Sequence, residues 1–280
     1  MDNLSLQQLD KVFASIEIPA CPAIVQQVMG EAQKDEPDLK ALSRRIASDV
    51  GMAAMTIKLA NSPLFRSGNP ATSVPQAVAR LGTRNVVCVV IAIALRNAVP
   101  GLPAAQLEHF WNRATAIANA AGVIARRQHG IAADAAYTFA LFHDAAIPVL
   151  LRRFSEYGAL LDAVKQEGLV LCQEEMRRFH CDHMLVGGLL AKNWGLPPAM
   201  AQAIRHHHDP ELFRLPPQAI SAEALSLVAV TLVAEELLAR IEGSENDVEP
   251  ELFLAACQHL GIGAEELHEL EEELVVALRE

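Results

Sequence analysis

Long apolar runs are missing from this chain. The longest, VVCVVIAIAL at residues 86–95, falls well short of the roughly 20 residues a membrane span needs, so no membrane helix is expected. The start, MDNLSLQQLD, has neither a basic n-region nor an apolar h-region, and no signal peptide is expected. Cysteine pairing is missing too. Cys21, Cys88, Cys172, Cys181 and Cys257 are scattered and never spaced CxxC. That spacing argues against a disulfide framework or a zinc ribbon and suits small core residues in a reducing cytoplasm. Aromatic residues make up only 5%, and no segment alternates with the period of a strand. A basic excess is also absent. Net charge is −11, which speaks against nonspecific nucleic-acid binding.

The charge that is present is unevenly placed. From Glu242 onward there are twelve acids and one base, Arg279, so residues 1–241 sum to zero. Four pairs, Arg44-Arg45, Arg126-Arg127, Arg152-Arg153 and Arg177-Arg178, punctuate the rest; such pairs are ordinarily solvated helix faces. Nearly every other segment repeats its apolar residues near every 3.6 positions. Asp38 and Asp49 stand as N-caps before LKALSRRIAS and VGMAAMTIKLAN. Ser73 and Gln76 have capping-box spacing, and Gly82 closes the short helix they open. NVVCVVIAIALRNAV is apolar nearly all round, which predicts a helix buried on several sides at a junction.

These patterns predict an all-α fold in three parts. Residues 1–100 form an N-terminal helical lobe, 101–241 a helical bundle, and 242–280 an acidic C-terminal helical extension, with VPGLP at 99–103 as the first boundary. In the bundle, helices are expected at about 104–128, 132–151, 155–167, 172–180, 183–194, 198–208 and 220–241. Leu267, Leu270, Leu274 and Leu278 share a face of the last helix, so the extension should fold back or meet a partner.

Histidine supplies the chemistry. His143 and Asp144 lie inside ALFHDAAIPVL, His183 opens HMLVGGLLAKNW with Asp182 as its cap, and His206, His207 and His208 close MAQAIRHHH. Imidazoles and a carboxylate from successive helices are what a helical metal site needs. The plainer readings are a neutral, buried His183 at a helix start and charged rings in the triplet at a helix end. His109 lies early in EHFWNRATAIANAA.

FALFHDAAIPVLL resembles the signature helix of the HD superfamily of metal-dependent phosphohydrolases. Over residues 18 to about 240 the chain is similar to one branch of it, the HDOD (HD-related output) domain of bacterial signalling proteins. The resemblance rests on IPACPAIVQQVM, SDVGMAAMTIKLANSPLF, SVPQAVARLGTRNVVCVVIAIALR, FWNRATAIANAAGVIAR and DHMLVGGLLAKNWGLPPAMAQAIRHHHDP, in that order. It implies an HD-like bundle and a site of seven residues: Arg113, His143, Asp144, His183, His207, His208 and Glu235.

The departures from the HD pattern carry the functional expectation. By the resemblance, Arg113 stands where catalytic HD enzymes have a first histidine ligand, and a guanidinium has no lone pair to offer. Glu235 stands for a late aspartate, and Ala145-Ala146 replaces the usual Gly-Lys. HDOD domains generally lack a complete ligand set and act as non-catalytic signalling modules. The expectation is therefore a vestigial site with no catalytic residue, no metal and no cofactor. Arg113 would hold Asp144 in a buried ion pair, since a lone buried carboxylate is costly. The implied partners are two-component regulators or cyclic di-GMP turnover proteins, with no nucleic acid and no membrane, in the cytoplasm. The alternative is a metal-dependent phosphohydrolase of a nucleotide or phosphoester, holding its ion with His143, Asp144, His183 and His207 or His208. A third reading is a nucleotide-binding regulator using the same cleft.

Overall fold

Cap residues, glycine and proline set where the helices start and stop. The computed structural model describes residues 16, 18–32, 34–62, 65, 68–98, 102–244 and 248–279. The first lobe holds α1 (Ala23–Ala32), α2 (Leu39–Ala47), α3 (Val50–Ala60) and α4 (Val74–Ala98). Asp38 accepts the amides of Lys40 and Ala41 at the start of α2, and Asp49 accepts that of Met52 at the start of α3, as their positions predict. Gly82, at φ 72°, breaks α4 into two runs; this left-handed conformation is strained for any residue with a Cβ.

The second half of α4 joins the two lobes. Val90 and Ile91 are fully buried, Ala94 nearly so, and Val87 packs against the same core. The helix lies on α1, α2 and α3 and also reaches the bundle. The bundle comprises α5 (Ala104–Arg127), α6 (Ala133–Phe142), α7 (Ile147–Arg153), α8 (Tyr157–Glu167), α9 (Leu171–Phe179), α10 (His183–Asn193), α11 (Pro198–His206) and α12 (Ala222–Glu242). One apolar core runs from Val25 of α1 to Leu274 near the C-terminus, and a smaller one gathers α7, α8 and α9. The indole N–H of Trp194 donates to the Pro19 carbonyl at 2.7 Å, which ties the IPACP segment to the bundle.

The expected helix at 132–151 is two helices. The i→i−4 bonding stops after His143, the chain turns over 143–146 with His143 and Ala146 still at right-handed dihedrals, and the helix restarts at Ile147. Pro148 has no amide and clashes with a preceding helical turn, so it sits in the first turn of α7. The bonds across the break are short-range, Ala145 N to Phe142 O and Ile147 N to Asp144 O. The HD pair thus occupies a tight corner.

The acidic extension folds back. Helices α13 (Pro250–Leu260) and α14 (Ala264–Arg279) follow α12, and α14 packs on α12 and α5. Leu270 and Leu274 are buried, Leu267 is partly so, and Arg127 of α5 pairs with Glu269 and Glu273. The side chains of Leu278 and Cys88 and the boundary at 99–101 lie outside the described residues. Among the described residues there is no strand, and no helix is long and apolar enough to cross a membrane.

Candidate metal centre

Four elements bring the histidines together. His143 and Asp144 come from the α6–α7 corner, His183 is the first residue of α10, and His207 and His208 follow the end of α11. Asp182 caps α10 by accepting the Leu185 amide at 2.6 Å. Gly187 lets α10 approach its neighbours: a Cβ there would stand 2.8 Å from Ile204 of α11 and 3.7 Å from the His143 carbonyl.

Three of the rings are held by the Nδ1 atom. His143 Nδ1 lies 2.7 Å from the Ala140 carbonyl, and His207 Nδ1 lies 2.7 Å from the Ile204 carbonyl. Among the described residues no backbone amide is bonded to either carbonyl. His183 Nδ1 lies 2.8 Å from the Glu175 carboxylate. A carbonyl or carboxylate partner fixes the proton on Nδ1 and leaves Nε2 as a lone pair. Those lone pairs converge. His183 Nε2 and His207 Nε2 are 3.3 Å apart, and Asp144 Oδ1 is 3.5 Å from the first and 3.3 Å from the second. His208 completes a set of four donors, all within 4.8 Å of one another.

A second set shares the same carboxylate. Asp144 Oδ2 is 3.2 Å from His143 Nε2, and Glu235 Oε1 is 3.3 Å from that nitrogen on its other side. Neither contact has hydrogen-bond geometry, so the buried His143 Nε2 meets two carboxylates at ion-pair distance without a hydrogen bond among the described residues. The four residues named for a bound ion at the sequence level therefore divide. His183 and His207 join Asp144 and His208, while His143 groups with Asp144 and Glu235.

Charge is badly balanced among these groups without a cation. Burial opposes a charged His183, but Glu175 and then Asp144 outweigh it and lift the ring to about 9. Those two carboxylates work against the neutral ring that burial and the helix start favour. Burial also opposes charge on His143, and Asp144 and Glu235 hold its value well above the ordinary one. His207 is pushed down by burial and by the neighbouring rings, and His208 is held far below by burial, His207 and His183. For His207 and His208, burial first and then the neighbouring rings outweigh the helix-end preference for charge. His206 alone turns away, to Asp209 at 3.2 Å.

The donors fit a metal ion. Ligands on a tetrahedral ion with bonds of about 2.0–2.1 Å stand about 3.3 Å apart, close to the three spacings among His183, His207 and Asp144. The two facing Nε2 lone pairs of His183 and His207 are what a cation would satisfy. Nitrogen and carboxylate donors suit zinc, iron or manganese. Asp144, His183, His207 and His208 would hold the ion, which would supply Lewis-acid polarisation.

Arg113 does not make the expected ion pair. It is exposed on α5, where Ala114, Ile117 and Ala118 take the buried face. Asp144 is held well below the usual carboxylate range by His143, His207 and His183 against the cost of burial. Arg113 instead lines a cleft of about 840 Å³ with His109, Lys165, His208 and Glu235. The centre thus reaches solvent beside two exposed cations, Arg113 and Lys165.

Glu175 was missed by the sequence reading. It is fully buried, accepts the Tyr157 hydroxyl and the His183 amide, and grips His183 Nδ1. A signal existed: Leu171, Glu175 and Phe179 recur every four residues, which puts a carboxylate on an apolar face.

The HDOD domain matches this chain over residues 18–210. The chain belongs to the HDOD domain family. An uncharacterized protein of Treponema pallidum (strain Nichols) is 23% identical over 229 residues, 74% of this HDOD chain and 42% of that protein. The chain therefore spans less than half of that relative's length. Among solved structures, an HDOD domain protein of unknown function from Geobacter sulfurreducens has a TM-score of 0.71 at 22% identity, covering 96% of this chain and 95% of its own. A candidate phosphohydrolase of Shewanella amazonensis SB2B has a TM-score of 0.72 at 22% identity, covering 97% and 94%. A candidate signal transduction protein of Marinobacter aquaeolei VT8 scores 0.68 at 22% identity, covering 98% of this chain and 59% of that one. At these identities the likeness concerns the fold.

Proposed function

We propose that this HDOD chain is a regulatory module of bacterial signal transduction whose core holds a divalent transition metal. It acts through contacts with signalling proteins, two-component regulators or cyclic di-GMP turnover proteins, and not by turnover. One observation carries the metal: His183 Nε2, His207 Nε2 and Asp144 Oδ1 form a triangle with sides of 3.3, 3.3 and 3.5 Å, their rings pinned from behind. The regulatory side is supported by the family, by the name of the Marinobacter relative, and by Arg113. A guanidinium at that position leaves the His143 set with three donors.

The second reading is phosphoester hydrolysis, favoured by the cleft. Arg113 and Lys165 would bind and orient a phosphate there, and His208 and Glu235 reach the same space from the core. Metal analysis of protein purified without chelator tests the proposal, with bis-p-nitrophenyl phosphate as the activity probe. The expected result is near-stoichiometric metal, lost in Asp144→Ala and His207→Ala, with no turnover. Metal-free protein would sink the metal site. Turnover that disappears in Asp144→Ala would replace the regulatory reading by the enzyme.

A further inference from the structure

Two of the four Arg-Arg pairs contribute to one groove. Arg153 ends α7, and Arg177 and Arg178 lie in the last turn of α9. These three line a shallow depression of about 590 Å³ together with Phe154, Glu156, Phe179 and His180. Phe154 and Phe179 stack with ring centroids 4.4 Å apart, and the Arg153 guanidinium lies 5.0 Å over the Phe154 ring. The groove therefore offers guanidiniums more than free aromatic faces. Glu174 grips Arg177 and Arg178, yet the Arg177 side chain stays 65% exposed. His180 is the one residue other than glycine with a left-handed backbone among the described residues, at φ 59°; the seven other positive-φ positions are glycines. A side chain is kept there although glycine would adopt the turn without strain, and that side chain lines the groove.

The complementary surface lies on the same chain. The net charge of −11 belongs to residues 242–280. On α14, Leu270 and Leu274 face the core, while Glu265, Glu269, Glu272 and Glu273 are exposed. Val276, 61% exposed, follows on that outer side. Glu269 and Glu273 already take Arg127, a member of a third Arg-Arg pair at the end of α5. This contact is an example, within one chain, of the acidic helix receiving a guanidinium from a helix end. Glu272 faces only the exposed His268, at 3.6 Å, and Glu265 has no ion pair, among the described residues.

We propose that the arginine groove binds the exposed glutamate face of α14 from a second copy of this chain. Charge complementarity selects this occupant. Three arginines outnumber Glu156 and Glu174 on one surface, and the other carries carboxylates without a strong cationic partner. At physiological salt, charges more than about 8 Å apart are screened, so the local match decides and not the net charge of each copy. A nucleic acid is disfavoured, because its bases need open ring faces and Phe154 and Phe179 turn theirs to each other. Across a two-fold axis each copy gives its helix to the other's groove, and the assembly closes as a dimer. Neither surface includes a donor of the metal centre.

Sedimentation equilibrium of the full chain across a concentration series at physiological salt tests this. A mass rising from one copy to two is expected. Arg177→Glu with Arg178→Glu, and separately Glu265→Lys with Glu272→Lys, should each weaken self-association by about tenfold or more. An equimolar mixture of the two variants should recover the dimer mass. In it the arginine groove of one meets the glutamates of the other, and the reversed charges match across the second contact. The first variant leaves Glu174 without its partners, so its melting temperature is measured alongside. The second changes two exposed positions and decides the matter alone if the first fails to fold. A wild type that stays monomeric at every concentration would overturn the proposal and leave the groove to an acidic partner of another kind. A dimer that the lysine variant does not weaken, or two folded variants that do not recover on mixing, would overturn it as well.

Discussion

Helix α6 borders two polar regions of the core, and they treat their polar groups in opposite ways. At its C-terminal end His143, His183 and His207 are each pinned through Nδ1, two by carbonyls and one by Glu175. On its side toward the first lobe, Ser62, Trp111 and Asn119 carry buried atoms that bond to nothing. The pinned region has spent its flexibility before any ligand comes, as an ion with fixed bond lengths requires. The other region mixes unbonded atoms with bonded ones, since Asn61 pairs with the Ala71 backbone and the Thr115 hydroxyl donates to the Trp111 carbonyl. Burial is common to both, so burial does not tell them apart; the state of the outer hydrogen bonds does.

Chelation should separate the regions most strongly. With free metal at a hundred to a thousand times Kd, binding stabilises by about 3–4 kcal/mol, so EDTA should lower the melting temperature of wild type by several degrees and that of Asp144→Ala hardly at all. Equal shifts in the two proteins, read by differential scanning fluorimetry, would place the metal elsewhere. The next effect comes from the other side. Leu270 is fully buried where α14 docks, and Leu270→Ala should cost roughly 2–4 kcal/mol in urea denaturation. Metal content should be untouched, since α14 contributes no donor; a loss of metal would mean that the two regions are coupled.

A finer test addresses the pinning itself. Glu175→Gln keeps an acceptor for Tyr157 but weakens the grip on His183 Nδ1. Metal affinity should fall about 10–100-fold, or roughly 1.4–2.7 kcal/mol, in competition with a chromogenic chelator. Unchanged affinity would show that the ring needs no support. The smallest effect belongs to Arg113. Exposed and unpaired with Asp144, it should lose no more than about 0.5 kcal/mol of stability on replacement by Ala. A cost of several kcal/mol would restore the expected buried ion pair between Arg113 and Asp144.

Local chemistry made much of the fold legible. Asp38, Asp49 and Asp182 cap where a carboxylate before an apolar repeat predicts, Gly82 breaks α4, and Leu270 and Leu274 dock the extension. The histidines of the site were legible because their segments are each distinctive. The corner at 143–146 was not, as apolar residues continue through it and mask the signal from Pro148. Arg113 was misplaced because a position in a sequence pattern does not say which way a side chain leaves its helix. Glu175 was overlooked among the charges of EEMRR, although its spacing from Leu171 and Phe179 points inward. That Arg153 lies beside Arg177 and Arg178 has no linear signature, since α7 and α9 supply them.

The carbonyls of Ala140 and Ile204 belong to the last turns of α6 and α11, where no following amide claims them. Helix length therefore governs proton placement. If α6 ran on by one more turn, the Asp144 amide would take the Ala140 carbonyl, and the His143 ring would be free to swap tautomers and turn its lone pair away. The turn at 143–146, with its i→i−3 bonds, is what leaves this acceptor to the ring; Pro148 acts one turn later, having no amide to offer the Asp144 carbonyl.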